Sequence, residues 1–514
     1  MESPLVGVGA ARSEGQNRNR IIMFVCWLAL VGWLCWSHTF WRDEVRAFSL
    51  ALSGSSYPEM LANVHGEGHP ALWYLILRAG HDIFPYREVL PIAGALIGIA
   101  AMAILTFFSP FRALVIGLVL FSFWGGFEYV VVARNYGISA LVMFALAALY
   151  PRIRNSLWFG VALVALCNTN VPSCLLAAAF LLFRFVEMLT DQSRATKRDW
   201  YVFAGNAGLA LVGAYLCFIT VYPTFNDAAV SRNLSDFGIA SIGRALIDYD
   251  WGFSHLGFEG SLPIPLNAIL LGISCLAFIR RPAALAASVA GLLVLKLFFY
   301  FVYFSYYRHE ILYVIFLLSL FWMVLDGAGG SWRDREWYRT AQFLGTGVFI
   351  ALLVMQTSRM IAPIKTEIEG EKFSRSADVG ALLKRPELKG AIVMGDPDTM
   401  LEPVTYYADN PVWFLRQQRF GRVVKLAKNS RHMLSMTDVL SDMQMLHART
   451  GRPVVFLSLL KLQDKKVVKR AVMFRDATIL RPDDVRQFWA NTRLVARLRP
   501  SASDEEYDVY VYPR

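Results

Sequence analysis

Apolar stretches near 20 residues long recur through the first two thirds of the chain and stop near residue 360. As a helix, a stretch of about 20 residues matches the hydrocarbon thickness of a bilayer. The pattern predicts about eleven spans, at 21–40, 89–108, 113–131, 136–150, 157–171, 173–188, 201–222, 264–279, 283–303, 310–326 and 340–358. The first run is too long for the apolar part of a cleaved signal, and no small-residue cleavage site follows it. It reads as a retained span. Two connecting segments are too long to be turns. Trp41 to Glu88 shows helical periodicity over Val45–Leu52, Pro58–Val64 and Pro70–Phe84. This predicts short helices at the membrane surface, with Trp41, Tyr57, Trp73 and Tyr74 at headgroup level. Pro223 to Pro263 is polar and aromatic, with Tyr249, Trp251 and Phe253. A long ordered loop of that kind usually carries function.

From about Ile361 the pattern turns to charged residues with short β-like runs. Ala391–Met394 ends in Gly-Asp-Pro-Asp and leads to a helical pattern reaching Tyr407. Met436–Thr450 reads as a helix and Pro453–Leu460 as a strand. Glu506–Tyr512 alternates like an edge strand. The chain therefore divides into a polar N-terminus (1–20), a membrane domain (21–360) with its first outer loop at 41–88, and an α/β domain (361–514).

Charge orients these parts. If the first span leaves the cytoplasm, the cytoplasmic segments hold Arg12, Arg18 and Arg20, then Arg112, then Arg152 and Arg154. They continue with Arg194, Lys197 and Arg198, then Arg280 and Arg281, then Arg333, Arg335 and Arg339. The short outer loops hold Arg134, Arg232, Arg244 and Arg308. Every cytoplasmic loop is basic, as the positive-inside rule requires. An odd number of spans then puts the α/β domain outside.

Composition agrees. Apolar residues make up 56% and charged residues 18%, against about 45–50% and about 25% in soluble domains. A disordered chain, a collagen and a disulfide scaffold are excluded, and the recurring apolar runs argue against a soluble enzyme. The net charge of +11 divides between the cytoplasmic arginines and the α/β domain, which carries 26 Lys/Arg against 19 Asp/Glu. Basic residues so dispersed argue against nucleic acid as a partner. The six cysteines, Cys26, Cys35, Cys167, Cys174, Cys217 and Cys275, all lie in apolar runs with no metal or redox spacing. They read as small packing residues.

Four features carry candidate chemistry. Trp41-Arg42-Asp43-Glu44 stands at the outer end of the first span. His65-Gly-Glu67-Gly-His69-Pro70 is a glycine-rich turn before a helix. Its His/Glu set suits either a divalent metal or a plain solvated turn. Glu128 with Ala133-Arg134-Asn135-Tyr136 lies at an outer junction. Tyr306-Tyr307-Arg308-His309-Glu310 opens a late span. Each alone is also an interfacial cap, a turn or a snorkelling arginine. Together they fall on the outer face, and a set of Asp, Glu, His and Arg at one depth suggests a cavity that handles an anion beside a base.

The acidic pair after the first span, the "H-P-x-L-x-Y" helix of the first outer loop, "A-R-x-Y" and the arginine before a late span resemble the GT-C superfamily of membrane glycosyltransferases. They resemble in particular its bacterial family 39 branch, which includes protein O-mannosyltransferases and lipid A aminoarabinose transferases. The resemblance covers residues 21 to about 360, in order. It implies a polytopic α-helical membrane protein with an extracytoplasmic C-terminal α/β domain, in a bacterial inner membrane. It implies an enzyme that moves a sugar from a polyprenyl-phosphate donor to a lipid, glycan or protein acceptor, with Asp43 as base. On that reading Arg134 and Arg308 hold the leaving phosphate, His69 donates a hydrogen bond or a proton, and Glu44 orients an arginine or the sugar. His65, Glu67, Tyr136 and Tyr307 contact substrate. Trp41, Tyr74 and Tyr306 stack on sugar or anchor at the interface. The alternatives are an oligosaccharide transferase or glycan ligase of the same superfamily, and a lipid-linked sugar transporter or flippase. A transporter would carry polar residues deep in several spans and often an inverted repeat. The polar groups cluster at one face instead.

Overall fold

The computed structural model describes residues 14–190, 195–222, 238–247, 253, 255–256, 264–327, 335–425, 430–473 and 476–513. Arg12, Arg194, Arg232, Arg333, Tyr249 and Trp251 lie outside them, as does most of the second long outer segment. The membrane part begins with α1 (Glu14–Ser37). The first outer loop follows as α2 (Arg42–Ala51), α3 (Tyr57–Val64) and α4 (Leu72–Ile83). Then come α5 (Val89–Phe108), α6 (Ala113–Leu120), α7 (Tyr136–Ile153), α8 (Leu157–Cys167), α9 (Val171–Thr190) and α10 (Lys197–Val221). The rest are α11 (Ile239–Ile247), α12 (Ile264–Cys275), α13 (Pro282–Phe301), α14 (Tyr307–Leu325), α15 (Glu336–Ser358) and α16 (Ile361–Ile368). Among the described residues, eight helices are long and apolar enough to cross a membrane, and two shorter apolar ones stand beside them. Helix α14 is apolar all round and buried from His309 to Val324, as a helix at the centre of a bundle must be.

One expected span is broken. The stretch 113–131 is not a single helix but α6, then a π turn at Trp124–Glu128, then irregular chain up to Asn135. Ser122 interrupts the ladder. Its hydroxyl donates to the Val119 carbonyl (2.7 Å) and accepts from Gly125 N–H (3.0 Å), a local alternative to helix bonding. The adjacent Gly125 and Gly126 weaken helix further. This irregular chain passes close to α5, where a Cβ on Gly98 would sit 2.8 Å from the Tyr129 carbonyl and one on Gly94 would sit 3.0 Å from Ala133 Cα. Only glycine permits that approach. A Gly98→Leu protein should fold poorly and lose the Arg134 position; its folded yield after detergent extraction, compared with wild type, is the check.

The first outer loop also differs from expectation. Trp73 and Tyr74 are buried with Val45, Phe48 and Leu77 in a small core of their own, so neither ring is exposed as an interfacial anchor would be. The loop is a packed platform, because the C-terminal domain covers it.

That domain contains α17 (Ser376–Leu383), α18 (Val404–Tyr407), α19 (Met436–Thr450) and α20 (Pro482–Asn491). Its strands are β1 (Ile392–Asp396), β2 (Val412–Phe414), β3 (Arg419–Phe420), β4 (Met433–Ser435), β5 (Val454–Ser458), β6 (Val468–Met473), β7 (Asp476–Leu480), β8 (Arg493–Leu498) and β9 (Tyr507–Tyr512). Six form one sheet in the order β3-β2-β1-β5-β9-β8, parallel in its centre, and β4-β7-β6 form a second. β9 was expected at an edge and is interior, between β5 and β8. Tyr507, Val509 and Val511 enter one core and Tyr510 the other. Asp508, the charge in that alternation, is taken by Arg499 (3.0 Å).

The domain is fastened to the first outer loop. Arg42 grips Asp504 with two hydrogen bonds (2.7 and 2.9 Å), and its N–H donates to Glu505 (2.8 Å). Tyr407 OH accepts from Phe40 N–H (2.9 Å). Arg46 spans Glu67 (2.5 Å) and Glu402. The α/β domain therefore sits on the same face as the first loop. Burial pushes Glu505 up to about 8 against the pull of Arg42, and Glu402 up to about 7 against the pull of Arg46. Asp398 inside the domain rises to about 8 through burial and neighbouring Asp396. Such groups bind protons more tightly folded than unfolded. The stability they confer is complete below the unfolded value and is lost as pH rises through the folded one. The thermal midpoint should fall from mildly acidic pH to about 8. Glu505→Gln, which keeps the acceptor without the charge, should flatten the upper part of that decline.

Candidate functional site

Three helix N-termini converge on the face that carries the 41–88 loop: those of α2, α7 and α14. Asp43 lies in the first turn of α2, Arg134 two residues before α7, and Arg308 in the first turn of α14. The positive ends of these helix dipoles favour an anion in the space between them. In the resting protein Asp43 supplies that negative charge. Arg134 Nη1 donates to Asp43 Oδ2 (2.7 Å) and Arg308 Nη2 lies 3.5 Å from the same oxygen. Burial would raise the Asp43 pKa, but Arg134, Arg308 and Arg42 outweigh it and hold the carboxyl well below its usual range. The residue is only half-buried, with its side chain 27% exposed, so it faces an open space.

The supports are local. Asn135 Nδ2 donates to the Thr169 carbonyl (2.5 Å), and Ser139, Thr169, Asn170 and Ser173 form a buried hydrogen-bonded cluster. This ties the start of α7 to the α8–α9 turn, and with it Arg134. Tyr129 OH donates to the Arg308 carbonyl (2.6 Å), which joins the irregular chain to the start of α14.

Glu44 takes a different place from its neighbour. It is fully buried, and it accepts from His38 Nε2 (2.9 Å), Trp41 N–H (3.2 Å) and Ala133 N–H (2.7 Å). Among the described residues these bonds reach no arginine side chain and the carboxylate is not exposed, so the structure does not place Glu44 against a sugar. A carboxylate one position along a helix from Asp43 points about 100° away, into the protein. Glu44 instead holds α2 to the chain leading into Arg134. Glu44→Ala leaves buried N–H groups unpaired, at about 1–3 kcal/mol each. It should lower the thermal midpoint strongly, and Glu44→Gln should lower it less.

His69 lies beside the pair, its Nε2 3.5 Å from Arg134 Nη2. An arginine only donates, so that nitrogen accepts and the imidazole proton sits on Nδ1. Burial and Arg134 lower its pKa to about 3. The ring is neutral, which leaves the hydrogen-bond alternative of its expected role, from Nδ1, and not proton donation from Nε2. Tyr136 is buried, stacked on Tyr129 (5.8 Å), with the Arg134 guanidinium 5.4 Å from its ring centre. Trp41 lies under both Arg42 (5.2 Å) and Arg308 (5.7 Å). Two buried donors here, Trp41 Nε1 and Arg308 Nε, have no hydrogen-bond partner among the described residues.

Four expected contacts fall elsewhere. His65 is exposed, its Nδ1 on the Ile219 carbonyl (2.8 Å). Glu67 is bound to Arg46 (2.5 Å). Tyr307 turns inward to Gln356 (2.8 Å). Tyr74 is in the loop core. His65, Glu67 and His69 have three separate partners because Gly66 and Gly68, both at positive φ, turn the chain between them. The His/Glu residue types that would suit a divalent metal do not converge on one point. Among the described residues no three His, Cys, Asp or Glu groups are arranged to hold a metal ion. The structure adds His309, buried with its ring 5.5 Å from Tyr136 and 5.4 Å from Tyr303, and Glu128, within electrostatic reach of Arg308 and Arg134. The sequence holds one signal for both, since each lies in a charged motif at an outer junction.

Among known proteins, no family model matches the chain and no curated protein matches it. The solved structures similar to it include two of ArnT from Cupriavidus metallidurans, one bound to undecaprenyl phosphate and one in the apo state. Identity is 14% in each case, with TM-scores of 0.49 and 0.48. The matches cover 98% and 96% of this chain and 98% of each of theirs.

Proposed function

We propose that the chain is an integral-membrane glycosyltransferase of the GT-C type, acting at the outer face on a sugar carried by polyprenyl phosphate. The observation that carries this reading is a half-open carboxylate clamped by two guanidiniums, beside two buried donors that lack partners among the described residues, where three helix N-termini meet. A site so built accepts an anion next to a base.

An acceptor hydroxyl attacks the anomeric carbon. Its proton passes to Asp43 as the O–C1 bond forms. The bond from C1 to the phosphate oxygen breaks, and the electron pair leaves with polyprenyl phosphate. Arg134 and Arg308 then bind the charge that develops on that oxygen. Asp43 in the resting protein is a weak base, because both arginines hold it. When the donor's phosphate enters, the guanidiniums are shared with it, and Asp43 regains basicity in the loaded enzyme. The acid limb of kcat should therefore lie at higher pH than that of kcat/KM, since the first reports the loaded enzyme and the second the free one. Coincident limbs would refute the sharing. Neutral His69 keeps Arg134 aimed, and Trp41 Nε1 donates to the phosphate or the sugar. The polyprenyl tail lies along the apolar helices.

Mass spectrometry of envelope glycans and lipids, from cells with and without the gene, tests the activity. The expected result is one sugar unit missing from one acceptor. Unchanged glycans with a displaced lipid-linked sugar would favour transport.

A further inference from the structure

The six-stranded sheet of the C-terminal domain has two faces, and β9 divides its side chains between them. Tyr507, Val509 and Val511 pack with Met400, Leu401 and Val404. That is the face toward the first outer loop, where Arg42 reaches Met400 Sδ (3.5 Å). Tyr510 packs on the other face, with residues of α19 and α20. On that second face an open cleft of about 720 Å³ lies over β8 and β9, between the end of α20 and the chain that follows β5.

Four cations line it, Lys461, Arg493, Arg497 and Arg499, against one carboxylate, Asp508. Arg499 is committed to Asp508 (3.0 Å), Glu506 (2.5 Å) and the Leu459 carbonyl (3.0 Å). Arg497 stands opposite Asp508 in the ladder and its charge reaches Tyr510, but Asp508 Oδ1 is already held by Arg499. Lys461, Arg493 and Arg497 are all exposed, and among the described residues none of the three side chains makes an ion pair or a hydrogen bond.

A bulge shapes this surface. From Leu494 to Arg497 β8 advances three residues, while β9 advances two, from Tyr510 to Asp508. Residues three apart in a regular strand face opposite sides. The extra residue brings Leu494 and Arg497 to the same side, beside the half-buried Trp489 ring. β8 is an edge strand, and charges and bulges guard such edges against unwanted pairing. That role needs neither Lys461, which comes from a separate loop, nor a tryptophan ring beside the cations.

We propose that this cleft is a second ligand site, apart from Asp43, for a phosphorylated saccharide. The forks of Arg493 and Arg497 hold the phosphate, with the Lys461 ammonium beside them. The sugar ring lies on Trp489 and Leu494, an apolar lining with a few polar anchors. The sheet stands between this cleft and the first outer loop, so the ligand anchors the domain and is not a reactant at Asp43. The inference is independent of the glycosyltransferase reading.

The test uses the full chain in detergent and equilibrium dialysis with glucose 6-phosphate, inorganic phosphate and glucose as probes. Wild type should bind glucose 6-phosphate best, phosphate less and glucose not measurably. Raising the salt should weaken binding, as exposed charges are screened. Lys461→Gln with Arg493→Gln and Arg497→Gln should lose roughly tenfold or more in affinity for glucose 6-phosphate, through the lost charge-assisted hydrogen bonds. The thermal midpoint should not move, since all three side chains are exposed. Trp489→Leu should bind inorganic phosphate as wild type does and lose the preference for the sugar phosphate. Undecaprenyl phosphate in excess should not displace the probe. Equal binding by the triple variant and wild type, or equal binding of glucose and glucose 6-phosphate, overturns the proposal. Displacement by undecaprenyl phosphate also overturns it and assigns the binding to the Asp43 site.

Discussion

Asp43→Asn should lower sugar transfer by about 10²–10⁴-fold, the worth of a positioned base, while the protein folds and inserts as wild type does. The substitution keeps shape and one acceptor oxygen, so Arg134 still has a partner at the 2.7 Å position. What it removes is the lone pair that takes the hydroxyl proton. It also removes the charge that neutralises two guanidiniums, so donor binding should hold or tighten as phosphate fills the place of the lost carboxylate. That combination separates a base from a structural ion pair. Breaking a buried pair by deleting one charge costs about 3–5 kcal/mol. A merely structural Asp43 would show as a lower thermal midpoint and reduced yield, with donor KM and kcat worsening together. Initial rates and midpoints on one preparation distinguish the cases.

Arg134→Ala carries the second large effect. Losing one stabiliser of developing charge costs about 10²–10³ in rate. Arg134 is also the nearer of the two arginines to Asp43, and its guanidinium meets the His69 imidazole and the Tyr136 ring. Removing it therefore loosens three neighbours. Arg308→Ala should act in the same direction with a smaller loss, because Arg308 reaches Asp43 only at 3.5 Å. Arg134→Lys should recover little, since a single ammonium cannot reproduce a planar fork. Rates measured at saturating donor compare all three. A loss confined to acceptor KM would contradict the assignment.

Much of the fold is legible in the order of residues, because a bilayer leaves few choices. The span Val89–Phe108 lies where its apolar run predicts it, and the three first-loop helices lie within a few residues of theirs. The break at Ser122 was not legible. Two serine hydrogen bonds and a glycine pair inside an otherwise apolar stretch are too small a signal against its hydropathy. The interior position of β9 was hidden for a related reason. Its alternation of tyrosine and valine looks half-exposed until both layers are seen to cover it.

The site divides in the same way. Asp43, Arg134 and Arg308 lie far apart in sequence, and the outer-face topology alone predicts that they meet. Glu44 could not be separated from Asp43 on sequence, because only the helical turn sends one carboxylate outward and the other in. The His65-Gly-Glu67-Gly-His69 set offers ligand residue types close together, but closeness in sequence ignores direction. Two positive-φ glycines between the side chains send them to three different partners. Arg46 went unnoticed, since one of its partners, Glu402, is supplied by the other domain.

The most direct test of the central claim follows the donor. Purified chain in lipid vesicles, supplied with a polyprenyl phosphate carrying a labelled sugar and with an envelope glycan fraction, should release polyprenyl phosphate as label enters the glycan. The Asp43→Asn chain should do so at least a hundredfold more slowly at a normal thermal midpoint. Transfer at the wild-type rate by Asp43→Asn, or movement of intact lipid-linked sugar across the bilayer with no new glycosidic bond, would contradict it.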